Sequence, residues 1–249
     1  MNQANKSSQP SKLDNKTARQ LIVEMMAIIE RETSCKNLID NISELDFGKA
    51  IIKNGPGKKF PRMELRLTPD EMDQLKNIGV LDATLKLSPT LAKEELEGGQ
   101  KLTALEKLLY SVLWKNGDLG KERHIVEGVY GNAQDPKSGI VFYEFGGYLN
   151  RRNPYIMDQH TLRCFAVAAC DESDDQLNQA RRLELINGKN DQHQSWMSAY
   201  KEFYESLGQR IPGSTKEAAN YFYEVDRLFF GAGKLIKLTK NSTSNALKD

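Results

Sequence analysis

The chain has 249 residues, of which 39% are hydrophobic and 28% charged, enough for one large domain or two helical lobes with a sizeable core. Its formal net charge of +1 excludes strong bulk attraction to a polyanion, so any nucleic-acid function must rest on local patches. No apolar run approaches the ~18 residues of a membrane span, and the opening Met1-Asn2-Gln3-Ala4-Asn5-Lys6 has no apolar secretory core, which predicts a cytoplasmic protein with no membrane partner.

Residues 1–16 are polar and read as a disordered tail, as do residues 240–249. An N-terminal helical lobe is expected over 17–100, opening with Leu21, Ile22, Met25, Met26, Ile28 and Ile29 at helical spacing. Gly55 to Leu67, with Pro56, Gly57 and Pro61, predicts a loop with a short extended piece. Thr68-Pro69-Asp70-Glu71 then supplies an N-cap, a proline at the first helical position and acidic first-turn residues, and Gly79 ends that helix.

A second, aromatic-rich helical lobe is expected over 101–239. Thr103 and Glu106 form a capping box ahead of Leu105, Leu108, Leu109, Val112 and Leu113. Further helices are expected to start near Ser138, Asp158, Asp174, Asp191 and Ser214, with Gly208 and Gly231 following the last apolar positions of two of them and Phe230 ending the last. Most aromatic side chains lie from Phe142 onward, so the heavier core belongs here. Period-two strand patterns are nearly absent, and the fold class is all-α.

Cys35, Cys164 and Cys170 are odd in number and scattered, which predicts free thiols. His160 and Cys164 are four apart, but no ligand-dense pair such as H-E-x-x-H or C-x-x-C occurs, so no metal and no cofactor are expected. Gly231-Ala232-Gly233-Lys234-Leu235 lacks the spacing and hydroxyl of a phosphate-binding P-loop. The chemistry concentrates elsewhere, in Asn153-Pro154-Tyr155-Ile156-Met157-Asp158-Gln159-His160-Thr161-Leu162-Arg163, where an extended apolar approach ends at an acidic residue opening a helix. A carboxylate there keeps its charge and suits a cation, although the same residue also serves as a plain N-cap.

Asp158-x-His160-x-x-Arg163 after Ile156-Met157 resembles the Asp-x-His-x-x-Arg signature of the helix-hairpin-helix DNA glycosylase superfamily. The apolar-aromatic segment from Gly139 to Tyr148 is similar to the helix that leads to the family's Asp strand. Asp226-Arg227-Leu228-Phe229-Phe230-Gly231-Ala232-Gly233-Lys234 looks like the C-terminal element of prokaryotic proteins with an 8-oxoguanine DNA glycosylase-like fold, some of them in antiviral defence.

The resemblance, over residues 104–237, implies a two-lobed helical fold with a cleft and a double-stranded DNA partner bearing a modified base. It makes Asp158 the catalytic carboxylate, Lys137 and His160 secondary site residues, and Arg151, Arg152, Arg163 and Lys234 DNA contacts. Two departures bear on activity. Gly128-Val129-Tyr130-Gly131-Asn132-Ala133 does not reproduce the family's Gly-hydrophobic-Gly phosphate grip. The Schiff-base lysine of bifunctional members, about eighteen or nineteen residues before the Asp, falls here at Gly139 or Ile140, with Lys137 nearby but out of register, so the resemblance implies a monofunctional enzyme for DNA repair or antiviral defence. The alternative is a non-catalytic helical module of the same ancestry that binds nucleic acid or protein.

Overall fold

The computed structural model describes residues 13–56, 62–93, 101–116, 119–131, 139–170, 173–211 and 215–238. Among these residues the chain forms eleven α-helices and no strand; isolated bridge residues such as Leu81, paired with Leu87, are the extent of the β structure, as the all-α reading expects. No described helix is long and apolar enough to cross a membrane. The helices are α1 (Asn15–Arg31), α2 (Cys35–Glu44), α3 (Gly48–Asn54), α4 (Pro69–Asn77), α5 (Ala104–Asn116), α6 (Glu122–Tyr130), α7 (Ile140–Leu149), α8 (Gln159–Ala169), α9 (Asp174–Arg181), α10 (Asp191–Arg210) and α11 (Thr215–Leu235). They belong to two compact units, one built from residues 1–61, 159–185 and 196–249, the other from 62–158 and 186–195.

The first unit is centred on α11, which packs on α3 and α8. Phe165, Tyr200, Phe203, Tyr204 and Phe229 form its aromatic centre, with Phe165 edge-on to Tyr200 at 4.9 Å and to Phe203 at 5.3 Å. Each such pair contributes about 0.5–1.5 kcal/mol beyond its burial. The hydroxyls of Tyr200 and Tyr204 both donate to the Asp226 carboxylate, so the polar ends of these buried rings are satisfied.

Gly231 and Gly233 do not end α11 at Phe230 as expected; the helix continues through both to Leu235. Neither is a stop, because each lies where another backbone passes. A Cβ on Gly231 would sit 2.1 Å from the Ile51 carbonyl oxygen, and one on Gly233 2.0 Å from that of His160. Gly208 likewise lies inside α10, which runs on to Arg210. Buried Arg181 donates to the carbonyls of Leu13 (2.6 Å) and Ile236 (2.8 Å) and to the side chain of Asn15 (2.7 Å), tying the start of α1 to the end of α11.

In the second unit α6 and α7 make the closest helix pair, and glycines again set the distance: a Cβ on Gly146 would lie 2.1 Å from the Ile125 oxygen, and one on Gly128 2.0 Å from that of Tyr143. Met72, Leu81, Val126 and Val129 form a core cluster. α4 begins with the expected cap, Thr68 and Glu71 bonding reciprocally, and Gly79 follows it in the left-handed region at φ 74°.

The predicted capping box of α5 is present as well: the Thr103 amide donates to Glu106 at 2.6 Å and the Glu106 amide to the Thr103 hydroxyl at 3.3 Å. Its apolar stripe, however, faces outward. Leu105, Leu108, Leu109 and Val112 are 64, 61, 54 and 50% exposed. The anchor is the other side of the helix, where Tyr110 packs with Leu91, Leu102, Val80 and Leu87. At 100° per residue Tyr110 lies nearly opposite the stripe, so docking one face leaves the other in solvent.

Candidate functional site

The path to Asp158 starts at the end of α7. The Asn150 amide donates to Gly146 O and the Arg151 amide to Tyr148 O, closing the last turn with Arg151 in the left-handed region at φ 59°. A non-glycine residue there costs about 1 kcal/mol or more, and neighbouring bonds hold it. The Arg151 guanidinium donates to Glu64 O at 3.0 Å, and the Asn150 side chain to Val129 O at 2.8 Å. Arg152 donates to Gly128 O and lies 5.9 Å from the centre of the Tyr143 ring. Arg151 and Arg152 thus remain exposed as residues while each guanidinium has a carbonyl partner.

Asn153 fixes the next step. Its side-chain amide donates to the Glu144 carboxylate at 2.9 Å and sits where a Cβ on Gly147 would come within 2.6 Å. Beyond Pro154 the chain alternates: Tyr155 and Met157 are buried, Ile156 and Asp158 half-buried. Asp158 is the last residue before α8, the position that its cap-like sequence predicts.

On α8, Arg163 is fully buried. One terminal nitrogen donates to Gly233 O at 2.6 Å and to His160 Nδ1 at 3.0 Å, and the other donates to Leu183 O. This geometry gives Arg163 a packing role that joins α8 to α11. Because a guanidinium only donates, His160 Nδ1 accepts and the neutral imidazole carries its proton on Nε2. Burial, helped by the positive charges of Arg163, Lys234 and Lys237, pushes the His160 pKa down to about 4. At neutral pH His160 is therefore an uncharged ring with a fixed tautomer. Phe230 stands edge-on to it at 4.7 Å, and the exposed ammonium of Lys234 lies 5.5 Å from the centre of the Phe230 ring.

Lys137 lies outside the described residues. No group of three or more His, Cys, Asp or Glu among the described residues could hold a metal ion. The Glu144–Asn153 pair has no counterpart in the sequence reading. Its signal was there, since Glu144 is the one charged residue in the otherwise apolar and glycine-containing α7. No known family model matches the chain, and neither a curated protein nor a solved structure matches it.

Proposed function

We propose that the protein is a monofunctional DNA N-glycosylase that removes a modified base, for repair or for antiviral defence, with Asp158 as its catalytic carboxylate. The observation that carries this reading is the setting of Asp158: a half-buried carboxylate after a tethered, alternating segment and directly before α8, within Asp-x-His-x-x-Arg. Such a group answers what base excision needs. As the C1′–N bond breaks, its electron pair leaves with the base and the sugar becomes oxocarbenium-like. A fixed carboxylate stabilises that charge, then water adds to C1′ and gives up a proton. Arg151 and Arg152, exposed and in the same unit as Asp158, would contact backbone phosphates.

The leucine face of α5 favours a second reading, a non-catalytic helical module that binds a partner. Incubation with duplexes carrying different modified bases, followed by mass analysis of released bases, separates the two. Asp158→Asn keeps a good N-cap residue but removes the charge, so base release should fall about a hundredfold or more while folding and DNA binding persist. A folded Asp158→Asn protein working at the wild-type rate would remove Asp158 from the chemistry.

A further inference from the structure

Glu144 is a carboxylate only 3% exposed inside a helix whose other side chains are uncharged. Desolvating a carboxylate costs several kcal/mol, and an apolar side chain of similar size would fill the same space without that cost. The carboxylate accepts from the Asn153 side chain at 2.9 Å, in a loop whose amides at Arg152 and Asn153 also return to Gly147 O at 2.9 and 3.4 Å. The Asn153 side-chain amide lies against Gly147, where a Cβ would come within 2.6 Å of its nitrogen.

From that anchor the chain alternates inward and outward, Tyr155 and Met157 in, Ile156 and Asp158 at the half-buried positions. In an alternating segment a slip of one residue reverses every side chain, as it does in a strand. A slip of one residue would put Ile156 in one of the two buried positions and Pro154 or Asp158 in the other, so Tyr155 and Met157 already favour one register. The polar anchor adds to that preference at the start of the segment, because Pro154 cannot replace the side-chain amide of Asn153.

We propose that Glu144 is a positioning residue: through Asn153 it sets the register of the 153–158 segment and hence the direction of the Asp158 carboxylate. The inference rests on the glycosylase reading of Asp158. Misplacing a reacting group by about 1 Å can cost a hundredfold in rate, so a register anchor remote from the chemistry has a large effect without touching the substrate.

The test uses two DNA duplexes, one with a pyrrolidine nucleotide whose ring nitrogen carries the positive charge of the sugar cation, the other with a neutral tetrahydrofuran nucleotide. The full chain should bind the cationic duplex about a hundredfold or more tightly than the neutral one, the lower end of the range by which transition-state analogues exceed substrates. Asp158→Asn should abolish that ratio. Glu144→Leu and Asn153→Ala should each lose most of it while keeping wild-type affinity for the neutral duplex, and Glu144→Gln, whose side-chain carbonyl still accepts from Asn153, should retain it. A general loss of stability would weaken both duplexes alike and leave the ratio unchanged. If Glu144→Leu does not fold, Asn153→Ala breaks the same hydrogen bond from the loop side and decides the matter. A ratio lost in Asp158→Asn but intact in folded Asn153→Ala overturns the positioning role alone. A wild-type ratio of one overturns the glycosylase reading and this inference with it.

Discussion

α8 and α5 are both short helices with a strong apolar pattern, and the structure treats them in opposite ways. α8 is buried from Thr161 to Val167, and the fully enclosed residues include a charged one, Arg163. α5 leaves three leucines and a valine in solvent. Periodicity states which side chains share a face, whereas burial depends on what that face meets. α8 meets α11 closely because Gly233 admits the His160 backbone, and a guanidinium then fits because carbonyls from two other segments converge on it. α5 meets only a small cluster, on its Tyr110 side.

The contrast breaks most readily at Arg163. Arg163→Leu would leave the carbonyls of Gly233 and Leu183 buried without this donor, at about 1–3 kcal/mol each, so unfolding in urea should show a loss of about 2–6 kcal/mol. A loss under about 1 kcal/mol would mean that the guanidinium does not hold α8 to α11.

A smaller, pH-dependent effect comes from His160. Its folded pKa of about 4 lies below the usual value of 6.5, so between these two pH values the unfolded chain holds a proton that the folded chain lacks. Stability should fall as the pH drops from about 6.5 towards about 4, then level off as far as this residue is concerned. His160→Gln should flatten that part of the stability–pH curve. An unchanged curve would place the His160 proton elsewhere.

The smallest effect sharpens the other side of the comparison. Leu105→Gln, Leu108→Gln and Leu109→Gln should each change thermal stability by no more than about 0.5 kcal/mol, as surface substitutions do. A loss of several kcal/mol at any one of them would mean that the stripe is covered in solution.

Helix beginnings were the most legible part of the fold. Thr68 with Glu71 and Thr103 with Glu106 announce themselves because capping is local, satisfied within four residues. Glycines were legible only in part. Gly79 has the positive φ of a helix stop, but Gly208, Gly231 and Gly233 sit inside helices. For the last two the requirement is space for a distant backbone, which no local pattern reveals. The position of Asp158 ahead of α8 was legible for the same reason as the caps. The partners of Arg163 and the Glu144–Asn153 bond were not, because Gly233 and Leu183 are remote in sequence and a lone acid in an apolar helix does not say what it holds.

Arg181 has a consequence for the connectivity of the chain. Its one guanidinium spans from Leu13 and Asn15 to Ile236, and the Leu238 amide returns to the Arg181 carbonyl at 3.1 Å. The two outer ends of the first unit therefore leave from neighbouring points. A peptide of a few residues could join Leu13 to Leu238, leaving the order of the helices free to be circularly permuted about a cut made elsewhere.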